Sequence, residues 1–121
     1  MKPPILKPLD KHLYEVVRRY TVDLNCCGRV VVPSGYKTNG ADIPRLLWRL
    51  FPPNSPEYMP AVVVHDYLCD IADESTNKDE RKRAFLEADL AFREILERLG
   101  LPKWKVWAFY RAVRIHHKLK G

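Results

Sequence analysis

The hydrophobic pattern of this chain changes period once, near residue 40, and that change limits the fold more than any other feature. Before it, runs rich in β-branched and aromatic residues dominate. "YEVVRRYTVDL" (14–24) reads as a strand, "NCCG" (25–28) as a turn, and "RVVVP" (29–33) as the return strand closed by proline, so a hairpin is expected. "SGYKTN" adds a short third strand after a turn at Ser34-Gly35. Residues 1–11 read as a Pro- and Lys-rich lead-in.

After the change, apolar positions recur at helical spacing. Asp42 stands before "IPRLLWRLF" with Pro44 near the first helical position, which predicts a capped helix start. "PPNSPEYMP" (52–60) is a proline-rich connection, and Pro60 opens a helix running to about Asp73. Asn77 caps a long helix over 78–99 that stops at Gly100, and Pro102 starts a last helix to about Lys118. The expected architecture is α+β: one domain, 1–121, with a small N-terminal antiparallel β-hairpin or sheet followed by about four packed α-helices.

No apolar run approaches the roughly 20 residues that span a bilayer, and prolines interrupt the N-terminus where a signal peptide would be apolar. Cys26, Cys27 and Cys69 read as free reduced thiols; a zinc site built from them and a histidine lacks regular spacing. The net charge of +6 allows contact with polyanions. The basic excess lies in "KWKVWAFYRAVRIHHKLKG", which carries no acid. There Trp104, Trp107 and Tyr110 recur at helical spacing and read as core anchors. Nucleic-acid binding through Arg111, Arg114, Lys118 and Lys120 is therefore disfavoured.

Two polar groups interrupt the apolar helix "AVVVHDYLCD" (61–70). His65 has Ala61, Val62, Leu68 and Cys69 as its helical neighbours, so it faces the core, and Asp66 sits at the edge of that face. On the helix at 78–99, Asp89 falls on the apolar stripe between Phe85 and Phe92. A buried carboxylate needs a partner, and His65 is the nearest in chemical type. If Asp89 accepts from His65 Nδ1–H, the other ring nitrogen is left free as a base or metal ligand. His12, His116 and His117 are weaker candidates, the last two lying in a basic helix end. A second constellation, "YKTNGADIPR" (36–45), places Thr38, Asn39, Gly40, Asp42 and Arg45 at a sharp strand-to-helix corner, a substrate-binding or structural element rich in oxygen donors.

The motifs "VPSGYKTNGADIPRLLWRLFPP", "AVVVHDYL", "EADLAFREIL" and "YRAVRI", in that order, resemble a family of small phage and prophage proteins known as a domain of unknown function. That family's corner reads T-D-G-A-S-I-P-R or T-D-F-A-S-I-P-R, whereas this chain has Asn39 for the acid and Asp42 for the serine. The resemblance implies the cytoplasm of an infected or lysogenic bacterial host, or the virion, and a host or phage protein as partner. A more distant likeness is to the prokaryotic type of phospholipase A2. It implies His65 as base, Asp66 as a calcium ligand and Asp89 as the group that orients the histidine. The disulfide framework and the glycine-rich calcium loop of that enzyme are missing. Two functions follow as expectations. One is a hydrolase, assisted by a divalent cation (calcium or zinc), with His65 and Asp89 catalytic and Asp66 on the metal. The other is a non-enzymatic phage protein, either an inhibitor of a host or defence protein or a minor virion component.

Overall fold

The computed structural model describes residues 1–10, 13–39 and 58–120. Five strands come first: β1 (Leu6–Asp10), β2 (Leu13–Val16), β3 (Tyr20–Leu24), β4 (Gly28–Val32) and β5 (Lys37–Thr38). Three helices follow: α1 (Met59–Glu74), α2 (Lys78–Arg98) and α3 (Lys103–Lys120). The α+β expectation is met, with three helices among the described residues where about four were expected. The helix read at Asp42–Phe51 lies outside the described residues.

The single strand expected over 14–24 is two strands in two sheets. β2 is the centre of an antiparallel sheet of order β1-β2-β5, while β3 pairs with β4 in a separate hairpin. The break falls at Val17, Arg18 and Arg19, three consecutive exposed residues. Two adjacent arginines cannot alternate between core and solvent, so the inward/outward alternation fails there and the chain passes to the second sheet. The alternation resumes in β3, where Tyr20, Val22 and Leu24 face inward. The proline-rich lead-in is also more than a lead-in: β1 occupies the edge beside β2, with Leu6 opposite Val16, an edge position where proline is tolerated.

The hairpin turns through Asn25, Cys26 and Cys27 and re-enters at Gly28, whose φ of 74° favours glycine. The Glu94 carboxylate of α2 accepts the Asn25 and Cys26 N–H groups at 2.9 and 3.0 Å, and Arg98 donates to the Asp23 carbonyl at 2.7 Å. These contacts fix the hairpin against α2.

The helices start and stop for local reasons. Pro60 occupies the first turn of α1, where its missing N–H costs nothing. Asn77 Oδ1 caps α2 by accepting from Asp79 and Glu80 N–H at 3.0 and 3.1 Å, and those acids complement the helix dipole. Gly100, at φ 82°, ends α2 and lets the chain reverse into α3. Val63 and Val64 of α1, Phe92, Ile95 and Leu96 of α2, Phe109 and Val113 of α3, and Val16 and Val32 of the strands form one buried cluster. Nearly every residue of the first two turns of α1 is buried, so α1 is the central helix of this core.

Candidate functional site

The polar groups of the interior collect where α1, α2 and α3 meet. His65 and Cys69 stand one helical turn apart on α1 and so share a face. Asp89 projects from α2 towards them. Arg114 and His117 come from α3, again one turn apart. His65 and Asp89 are 0% exposed, and His117 is 6% exposed.

Asp89 is the junction. Its Oδ1 lies 2.8 Å from His65 Nε2, and its Oδ2 lies 2.8 Å from His117 Nδ1 and 2.9 Å from Arg114 Nη1. Burial alone would push the Asp89 carboxyl up. The hydrogen bonds from His117 and His65 outweigh it and hold the group down at about 2. As a carboxylate it only accepts, so both imidazoles must donate to it: His65 is the Nε2–H tautomer and His117 carries its proton on Nδ1. His117 Nε2 then faces Cys69 Sγ at 3.7 Å, and the same sulfur is 3.5 Å from His65 Nε2. Phenylalanines set the ring planes, with Phe92 4.7 Å from the His65 ring and Phe85 4.5 Å from that of His117. Thiol, imidazole and carboxylate thus form one chain of hydrogen bonds across three helices.

The His65–Asp89 contact expected from the sequence is present, with the ring turned over. Nε2, not Nδ1, meets the acid, and Nδ1 is buried with no hydrogen-bond partner among the described residues. The ring nitrogen that was to be free for chemistry is therefore enclosed. Asp66 lies outside this cluster. It is 3% exposed and accepts from Thr38 Oγ1 at the end of β5. Thr38 thus ties the sheet to α1, while Asn39 is exposed. Gly40, Asp42 and Arg45 lie outside the described residues.

His117, Cys69 and Arg114 are the groups that sequence reasoning passed over in naming the site. The signal for His117 was present: Val106, Phe109, Val113 and His117 continue one buried stripe at helical spacing. The same stripe corrects the tryptophans. Trp104 and Trp107 fall on the opposite side and are 62% and 63% exposed, so they are not core anchors. Cys26 and Cys27 belong to the β3–β4 turn and are not part of the cluster.

A family profile described as "Protein of unknown function (DUF1353)" matches residues 14–113, most of the chain. The chain belongs to the DUF1353 family. An uncharacterized protein of Sinorhizobium fredii, y4jT, is similar to this DUF1353 chain at 31% identity over 83 residues, which cover 68% of the chain and 22% of that relative. The chain thus spans under a quarter of the relative's length. No solved structure matches the chain. Within the DUF1353 match lie β3, β4 and β5, all of β2 but its first residue, all of α1 and α2, and the cluster residues His65, Cys69 and Asp89; Arg114 and His117 fall just beyond it.

Proposed function

We propose that this DUF1353 chain is a non-enzymatic interaction domain of phage or prophage type, which grips an acidic, partly apolar segment of a host or phage protein on the outer face of α3. One contrast carries the reading: His65 and Asp89 are enclosed in the core, while two tryptophans of α3 stand in solvent. A catalytic base must reach a substrate, and neither nitrogen of His65 does. A tryptophan held more than half exposed sits in the kind of position where binding energy concentrates.

Beside Trp107, a groove of about 740 Å³ runs between α2 and α3. Leu101 and Val106 form its apolar floor, and Arg93, Lys103 and Arg111 outnumber its one acid, Glu97, which is paired with Arg93 at 3.7 Å. The aromatic faces of α3 already carry cations. The Arg111 guanidinium lies 5.6 Å from the Trp107 ring centre, Lys105 Nζ 5.8 Å from that of Trp104, and Arg93 4.7 Å from that of Tyr110. Nucleic-acid bases need free rings to stack on, whereas carboxylates can meet those cations directly while apolar side chains enter the groove. This arrangement favours an acidic protein segment. It also fits an inhibitor or minor virion component acting in a bacterial host.

The test is binding of a fluorescent peptide of alternating glutamate and leucine, compared with its lysine counterpart. Trp107→Ala and Arg111→Glu should each weaken the acidic peptide by about tenfold or more, and Lys82→Ala, remote from the groove, should not. Equal affinity for both peptides would remove the charge argument. An oligothymidylate that binds as tightly and depends equally on Trp107 would transfer the surface to single-stranded nucleic acid.

A hydrolase is the second reading, supported by a cavity of about 290 Å³ whose wall includes Arg81, Phe85, Arg114 and His117. In that case His117, rather than His65, would be the base, with Asp89 orienting it. Turnover of a nitrophenyl ester or phosphate that disappears in His117→Gln would establish this reading in place of the first.

A further inference from the structure

We propose that His65, Cys69, Asp89 and His117 form a binding site for a zinc-class divalent metal ion at the junction of the three helices. The proposal is independent of what α3 binds. Each residue offers one ligand atom, and the four atoms lie within 4.8 Å of one another, all of them buried. Two imidazoles, a thiol and a carboxylate are the donors that tetrahedral zinc takes, whereas calcium and magnesium require oxygen.

The spacing is close to that of a filled site. Metal–nitrogen bonds of roughly 2.0 Å and metal–sulfur bonds of roughly 2.3 Å, set tetrahedrally, put nitrogen and sulfur roughly 3.5 Å apart. Cys69 Sγ stands 3.5 Å from His65 Nε2 and 3.7 Å from His117 Nε2. The 2.8 Å edge between His65 Nε2 and Asp89 Oδ1 must open by roughly half an ångström to reach the nitrogen–oxygen spacing of such a site, and the set, spread over up to 4.8 Å, must draw in around the ion. His117 Nδ1 now donates to the second carboxylate oxygen, and that bond must give way when Asp89 and His117 Nε2 hold the same ion.

The protons can also be accounted for. His117 offers Nε2, which faces Cys69 Sγ, as its ligand atom. His65 must bare its Nε2, and its proton can move to Nδ1, which has no hydrogen-bond partner among the described residues. Cys69 loses its thiol proton to solvent and binds as thiolate. A thiolate and a carboxylate then offset the dication, and the Arg114 guanidinium, hydrogen-bonded to Asp89 with 20% of its side chain exposed, keeps its own charge on the solvent side. The occupied site would be four-coordinate and closed, of the structural kind.

The experiment uses the full chain under reducing conditions. It is stripped with a chelator, refilled with zinc for elemental analysis, and separately titrated with cobalt(II) for its thiolate-to-metal absorption band. The expected result is one equivalent of metal. The thiolate band should be lost in Cys69→Ser and kept in the double variant Cys26→Ser/Cys27→Ser. Zinc should raise the melting temperature of the parent chain and not of Cys69→Ser. If Cys69→Ser does not fold, His117→Gln should weaken cobalt binding at least about tenfold while the thiolate band remains. Absence of bound metal in the folded parent chain would overturn the proposal. So would a band that survives Cys69→Ser, or one that vanishes with Cys26 and Cys27.

Discussion

His117 Nδ1 donates to Asp89 Oδ2 at 2.8 Å, and this bond joins the last helix to the middle one inside the core. It makes a histidine near the C-terminus part of the same polar chain as His65, 52 residues earlier.

Removing the junction should be costly. Asp89→Ala leaves two imidazoles and the Arg114 guanidinium without their common acceptor. Breaking a buried charge pair costs roughly 3–5 kcal/mol, and urea unfolding of the metal-free protein should show a loss of that order. Asp89→Asn keeps the shape but turns an N–H₂ towards a donor, so it should lose somewhat less and still be clearly destabilised.

Acid should act through the same carboxylate. Asp89 is held at about 2 in the fold, below its ordinary 3.8. The unfolded chain therefore takes up the proton first as pH falls. The contribution of Asp89 is complete above about pH 4 and is lost as pH drops through about 2, and it amounts to roughly 2 kcal/mol. Stability of metal-free protein measured from pH 5 down to pH 2 should fall more steeply in the parent chain than in Asp89→Asn.

Much of this centre was legible in advance, and the limits of that legibility have physical causes. Asp89 could be read because a carboxylate on an apolar stripe demands a partner, and His65 because its helical neighbours are all small or apolar. His117 was ranked only as a weaker candidate because its neighbours His116 and Lys118 make the helix end look solvated, although the Val106–Phe109–Val113 stripe runs directly to it. The ring orientation of His65 was not readable, since it depends on where α3 places a second donor. Trp104 and Trp107 share helical spacing with each other, but spacing does not say which of two stripes faces inward. The division of 14–24 into two sheets depended on tertiary pairing, with Val16 N–H donating to Tyr36 O at 2.8 Å and Val17 N–H to Ile5 O at 2.9 Å.

The Thr38 hydroxyl links β5 to α1 through a hydrogen bond that can be tested by one substitution. Thr38→Val preserves shape but removes the hydroxyl that donates to buried Asp66. A hydrogen bond to a charged group contributes roughly 1.5–3 kcal/mol, and thermal or urea unfolding should register a loss in that range. A loss confined to a few tenths would mean that Asp66 does not depend on β5.

The hairpin has its own anchor. Glu94→Ala withdraws the acceptor for the Asn25 and Cys26 N–H groups and the partner of Arg98 at 2.5 Å. Amide hydrogen exchange should quicken in the 25–28 turn while α1 stays protected, because the turn is exposed and its N–H groups lose their acceptor. Unchanged protection at Asn25 and Cys26 would show that the turn holds without α2.

The most direct test of the central hydrogen-bond chain is long-range proton–nitrogen NMR of the histidine side chains in the metal-free protein at neutral pH. The structure predicts that the two rings donate to Asp89 from opposite nitrogens: His65 from Nε2, and His117 from Nδ1 with its Nε2 towards Cys69. Both ring protons should exchange slowly with water, as befits a sealed core. His117 protonated on Nε2 and not on Nδ1, or ring protons of His65 and His117 that exchange as fast as those of an exposed histidine, would contradict the account.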